Sequence, residues 1–141
     1  MPIEINKGRR IRGFIEDIIN KEEAEKLTPG KQDFNNPIIK DVLVKLGKSN
    51  ANPPSYAVIE QGTSGHNWHT DIGTNGHMKW CNISVSILLR KSKNGLFKYK
   101  NPKKEYTQDE HYLNAIIHSN DEWHMVEKST KGRTVLLMFL Q

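Results

Sequence analysis

The spacing of apolar residues changes character partway along the chain. In the first fifty residues it recurs at helical intervals. Phe14, Ile15, Ile18 and Ile19 lead into good helix formers at 21–26, which predicts a helix over 17–27 that Thr28-Pro29-Gly30 stops. Ile38, Ile39, Val42, Leu43 and Leu46 make one apolar face and predict a second helix over 37–46. Asn36 can cap it, Pro37 suits its first position and Gly47 ends it. Residues 48–54 are a connector in which Pro53-Pro54 forbids helix. From Ser55 onward the period shortens. Strands are predicted at 56–61, 68–72, 81–89, 96–99, 113–118, 123–127 and 134–140, with turns at 62–65 and 91–95 and a loop at 73–77. The stretch 101–110 is polar and carries no clear period.

Two helices followed by about eight short strands predict a mainly β fold with N-terminal helices, a two-sheet jelly roll with both helices packed on one sheet. At 141 residues the chain is expected to be one domain, 1–141, with 1–52 as helical support and 53–141 as the β core. No apolar run approaches membrane-spanning length and residues 1–20 lack a signal-peptide pattern. A single cysteine, Cys81, excludes an intramolecular disulfide, which fits a reducing, cytoplasmic location. Cys81 itself reads as a metal ligand or as a small core residue. The net charge is +5, with basic residues concentrated at 7–12 and 90–104. Such stretches serve as a solvated exterior or as a weak docking surface for nucleic acid, an acidic protein or an acidic surface.

Chemistry enters with His69-Thr70-Asp71. Residues two apart on a strand share a face, so this pair presents an imidazole and a carboxylate together. His-x-Asp alone is a common chance pattern. Here His124 follows in a later strand, and Arg133 comes after it at the head of the apolar run 134–140. Two imidazoles and one carboxylate on one side of a metal form the facial triad that suits Fe(II) and leaves coordination positions open. Arg133 alternates with Val135 and Leu137, so it points inward, where a guanidinium needs an anion and a planar carboxylate is its best bidentate partner.

On these residues the chain resembles the Fe(II)/2-oxoglutarate-dependent oxygenases, and among them the prolyl-4-hydroxylase-like branch. The run Asn114-Ala-Ile-Ile-His-Ser-Asn-Asp-Glu-Trp-His-Met-Val126 resembles that family's strand, polar turn and strand carrying the distal histidine. The run from His124 through Arg133 to Phe139 resembles its closing stretch, and Gly62 and Gly65 stand where it has a turn before His-x-Asp. The resemblance covers about residues 54–141. It implies a double-stranded β-helix, iron held by His69, Asp71 and His124, 2-oxoglutarate chelating the iron with its distal carboxylate on Arg133, and dioxygen as co-reactant. Oxidative decarboxylation to succinate and carbon dioxide would drive oxidation of a substrate C–H bond, on a protein side chain of the prolyl type or a small molecule. Where the branch often has a tyrosine this chain has Ile59, so the cosubstrate pocket differs there. A nucleic-acid-directed oxygenase is less favoured, because that branch carries further arginines after the distal histidine and this chain has only Arg133 there. A jelly-roll binding module is the other alternative, and Arg133 argues against it.

Other residues are open. Ser84 and Ser86 share one strand face and offer hydroxyls to 2-oxoglutarate or simply line the core; Tyr56 stands in the same position. Trp68, Trp80 and Trp123 flank the ligands as core or rim packing. His66, His77 and His118 read as surplus, and His111 reads as exposed. The chain ends soon after the last strand, which leaves an open site mouth or one covered by a partner.

Overall fold

The structure is a computed structural model that describes residues 3–5, 11–48, 50–62, 65–93, 95–129 and 132–141. The middle of the turn expected at 62–65, residue 94 of the turn expected at 91–95, Lys131 and basic positions 7–10 lie outside the described residues. In chain order the elements are β1 (Ile3–Ile5), β2 (Ile11–Ile15), α1 (Lys21–Lys26), β3 (Gly30–Gln32), α2 (Pro37–Lys45), β4 (Tyr56–Gln61), β5 (His66–His69), β6 (Ile83–Arg90), β7 (Phe97–Lys100), β8 (Lys103–Tyr106), α3 (Gln108–His111), β9 (Ala115–Ser119), β10 (His124–Val126) and β11 (Thr134–Leu140). A short 3-10 turn at Thr74–Gly76 lies between β5 and β6.

The strands form two antiparallel sheets. The larger runs β1-β2-β9-β6-β11-β4-β3 and the smaller β5-β10-β7-β8. The expectation of a helical N-terminal third is corrected here. Phe14 and Ile15 belong to β2, which pairs with β9, and β3 pairs with β4, so the N-terminal residues widen the main sheet at both edges. Helical spacing misleads because Ile18 and Ile19 are buried from a turn after β2 rather than from a helix face. The first helix is correspondingly shorter than 17–27. It starts where Asn20 and Glu23 form a reciprocal capping box. The second matches its prediction closely: Asn36 accepts from the Ile38 amide, Pro37 opens the helix, and Leu46 is its C-cap.

Strand alternation divides the large sheet into two faces. Ala57, Ile59, Val85, Ile87, Ala115, Ile117, Leu136, Met138 and Leu140 point to one side. There they share a core with Ala24 and Leu27 around α1 and with Ile39, Val42, Leu43 and Leu46 of α2. The opposite face looks at the small sheet. Across it, register sets Tyr56 opposite Phe139, Phe139 opposite Ser84, Ser84 opposite His118 and His118 opposite Arg12. A two-residue period thus assigns aliphatic side chains to the helix side and most polar ones to the space between the sheets.

His111 corrects another expectation, since it is only 2% exposed. A capping box between Thr107 and Glu110 sets α3, which carries the imidazole inward to donate from Nε2 to the Ser86 carbonyl at 2.9 Å. Burial pushes its pKa down to about 3. The unfolded imidazole takes a proton below about pH 6.5, and the folded one refuses it until about pH 3. This group's stabilisation is therefore present above pH 6.5 and is lost as pH falls through that window. Denaturant unfolding is expected to show wild type losing about 2 kcal/mol more than His111→Gln between pH 7 and 5. Parallel pH profiles for the two would contradict the buried neutral imidazole. Limited proteolysis is expected to release no stable fragment starting near Ser55, because β2 and β3 are hydrogen-bonded into the main sheet; a folded core lacking them would contradict the single-domain reading.

Candidate metal centre

The site is built where the small sheet faces the large one. β5 and β10 are antiparallel, and their register sets His69 directly opposite His124. Gly65 permits the approach: its φ is +71°, and a Cβ there would lie 2.6 Å from the Val126 carbonyl oxygen and 2.8 Å from the Lys128 amide nitrogen. The strand expected at 68–72 is instead His66–His69, and Asp71 sits in the turn that follows. That turn is anchored by the Asp71 amide donating to the Asn120 carbonyl at 3.0 Å. His69 and Asp71 therefore meet through a turn rather than through strand alternation.

Both histidines are oriented by their own backbone. His69 donates from Nδ1 to the Asn67 carbonyl at 2.6 Å, and His124 donates from Nδ1 to the Glu122 carbonyl at 2.9 Å. These bonds fix the tautomer and leave both Nε2 lone pairs free. Each Nε2 points at Asp71 Oδ1, at 3.6 Å from His69 and 3.4 Å from His124. The three ligand atoms lie within 4.8 Å of one another. Three acceptors converging in this way call for a cation among them. Two imidazole nitrogens and one carboxylate oxygen are the donor set that suits Fe(II). The Phe97 ring stacks on His124 with centroids 5.6 Å apart, which fixes the ring from the apolar side.

Asp71 uses its second oxygen differently. Oδ2 accepts from His118 Nε2 at 2.9 Å, and His118 Nδ1 lies 3.1 Å from the Tyr99 hydroxyl. Burial works to raise the Asp71 pKa, but the hydrogen bond from His118, with the His124 imidazole close by, outweighs it and holds the carboxyl well below its usual range. His118, expected to be surplus, is 2% exposed. Burial, with His124 nearby, pushes its pKa down to about 4. Burial also lowers His69, against the hydrogen bond to Asn67.

Tyr56, His69, Asp71, Ser84, Ser86, His124 and Arg133 all line one cavity of about 220 Å³ between the sheets. Arg133 is 8% exposed, and its Nε has no hydrogen-bond partner. Desolvation lowers its pKa, opposed by Glu60, which itself pairs with His66 at 3.6 Å. A buried guanidinium with an unused donor, in a cavity that three hydroxyl-bearing residues also line, is a fit for a carboxylate. The Tyr56 hydroxyl points to Met78 Sδ at 3.6 Å, and Ser84 Oγ lies 3.7 Å from Cys81 Sγ. Cys81 is buried outside the ligand group. A wider groove of about 590 Å³ between β2 and β8 contains none of the seven.

Trp68 and Trp123 are exposed rim residues, with Lys100 Nζ 5.7 and 5.5 Å from their rings. Several basic side chains at 90–104 are paired: Lys91 with Asp109, Lys98 with Glu127 and Lys103 with Glu105. Among the described residues no helix is long and apolar enough to cross a membrane. His118 and Tyr99 are the site residues that sequence reasoning passed over. The available signal was the alternation of His118 with Ile116, which puts both on the inward face of β9.

No protein-family model matches the chain, and no curated protein sequence matches it. Solved structures do. A 2OG-Fe(II) oxygenase family oxidoreductase from Burkholderia pseudomallei is 19% identical, with a TM-score of 0.51 over 99% of this chain and 71% of that one. A prolyl-4-hydroxylase from Pseudomonas putida is 10% identical, with a TM-score of 0.58 over 92% and 91%. A non-haem alpha-ketoglutarate-dependent epimerase from nogalamycin biosynthesis, SnoN, is 7% identical, with a TM-score of 0.52 over 91% and 77%. At these identities the likeness is one of fold: the chain is built on the fold of 2OG-Fe(II) oxygenases.

Proposed function

We propose that the protein is an Fe(II)- and 2-oxoglutarate-dependent dioxygenase on a double-stranded β-helix. In this reading His69, Asp71 and His124 hold the iron and Arg133 takes the distal carboxylate of 2-oxoglutarate. The observation that carries the reading is that the unpartnered Nε of buried Arg133 belongs to the same cavity as the three converging ligands. When bound, iron supplies the activation of dioxygen and 2-oxoglutarate supplies two electrons, leaving as succinate and carbon dioxide. The chain's own residues do the rest. His69 and His124 present lone pairs fixed by their Nδ1 bonds. Arg133 orients the cosubstrate, with Ser84, Ser86 and Tyr56 lining its path. Val58, Val126, Val135, Leu137 and Phe139 line the same cavity and limit water in it.

The primary substrate is a protein side chain, of the prolyl type, or a small molecule. The named neighbours include both a prolyl hydroxylase and an epimerase, so the shared fold alone leaves the reaction open. The pairing of lysines at 90–104 with carboxylates favours a solvated surface over a nucleic-acid track. The direct test is succinate release with Fe(II), 2-oxoglutarate and a panel of peptides, amino acids and nucleic acids. Stimulation by a peptide or a small molecule supports the reading, and stimulation by nucleic acid alone overturns the substrate class.

Two substitutions separate the parts. Asp71→Ala removes the only oxygen ligand of the three, and calorimetry is expected to show loss of metal binding; near wild-type affinity would refute the assignment. Arg133→Ala leaves the ligands in place but removes a desolvated, charge-assisted partner worth roughly 1.5–3 kcal/mol. Metal binding is expected to persist while 2-oxoglutarate affinity falls by at least about tenfold. Unchanged 2-oxoglutarate affinity would favour a binding module.

A further inference from the structure

Behind the ligands lies a chain of buried polar contacts that ends in strand β2. Arg12 of β2 is 7% exposed and Glu122 is fully buried; Arg12 donates to Glu122 Oε1 at 2.8 Å. The same guanidinium sits over the Tyr99 ring, 4.1 Å from its centroid. The Tyr99 hydroxyl lies 3.1 Å from His118 Nδ1, and His118 Nε2 lies 2.9 Å from Asp71 Oδ2. The other arm passes through the backbone, since the Glu122 carbonyl accepts from His124 Nδ1.

The proton positions along this chain follow from its ends. An ionised carboxylate only accepts, so the His118 nitrogen facing Asp71 carries the hydrogen. His118 Nδ1 is then an acceptor, and the Tyr99 hydroxyl is its donor, with the Ile117 carbonyl at 3.4 Å as that hydroxyl's alternative acceptor. A cation over the phenol face draws electron density from the ring and strengthens the hydroxyl as a donor. The outcome at Asp71 is a division of labour: Oδ2 is occupied, and Oδ1 alone turns to the two imidazoles.

We propose that His118, oriented by Tyr99 and Arg12, is a positioning residue that holds Asp71 as a one-oxygen ligand, and that strand β2 is thereby part of the metal centre. This rests on the metal-centre reading above. It goes beyond it by assigning a task to four residues from β2, β7, β9 and the turn before β10. Without the bond from His118, Asp71 Oδ2 loses its donor, and the carboxylate is free to swing or to chelate with both oxygens.

The test is titration of the full-length protein with Co(II), reading both affinity and the visible d–d spectrum. His118→Gln keeps a donor at the Nε2 position and is expected to bind within a few-fold of wild type with a similar spectrum. His118→Phe fills the space without a donor and is expected to bind about 10–100-fold more weakly, with a shifted spectrum. A purely structural role predicts no such difference in spectrum between the two. Should His118→Phe fail to fold by circular dichroism, Tyr99→Phe, which keeps the ring under Arg12, is expected to shift the spectrum in the same direction. Wild-type affinity and spectrum in His118→Phe, or in Tyr99→Phe where it stands in, would overturn this inference and leave the ligand assignment intact. Failure of wild type itself to bind Co(II) would overturn the metal centre and this inference together.

Discussion

A carboxylate taken out of water has to be matched oxygen by oxygen, and Asp71 is the place where this chain meets that demand. Its Oδ2 receives the hydrogen bond of His118, and its Oδ1 faces the unprotonated nitrogens of His69 and His124. The first contact costs a second buried imidazole, which needs a partner of its own in Tyr99. The second leaves three acceptors pointed at one another, a configuration that is unfavourable until a cation joins them. Much of the polar interior follows from these two requirements.

The sheets supply the positions. Register in the large sheet sets Ser84 beside His118 and His118 beside Arg12 on the inner face, while the helix side of the same strands is aliphatic. The small sheet brings His69 and His124 opposite each other, with Gly65 allowing the strands to close. Arg133 immediately precedes β11 and shares the inward face of Val135 and Leu137, so a cation and the ligands line one cavity from different sheets. Of the three converging side chains, His69 and His124 stand on strands and Asp71 stands on a turn.

Part of the framework around the site was legible because it lies on alternating strands. β4 and β11 fall at 56–61 and 134–140 as the period predicts, and Arg133 points inward as its spacing from Val135 requires. The stretch 101–110 was not legible. Lys103–Tyr106 is an edge strand whose polar residues give no buried period, and Gln108–His111 is a single capped turn. The N-terminal strands were hidden for a related reason: Phe14, Ile15, Ile18 and Ile19 satisfy helical spacing, yet a strand and a following turn bury them equally well. His111 and His118 show the limit more sharply. Each bonds to a partner far along the chain, Ser86 for one and Asp71 for the other; alternation on β9 shows that His118 faces inward but names no partner.

On the proposed function, the three ligands and Arg133 form two ends of one binding site. Coupling between the ends is measurable and, by linkage, reciprocal. The decisive measurement is 2-oxoglutarate affinity by calorimetry under oxygen-free conditions, with and without bound Fe(II). Iron is expected to tighten 2-oxoglutarate binding by at least about tenfold, and 2-oxoglutarate to tighten iron by the same factor. Equal affinity for the iron-loaded and iron-free protein would contradict this reading.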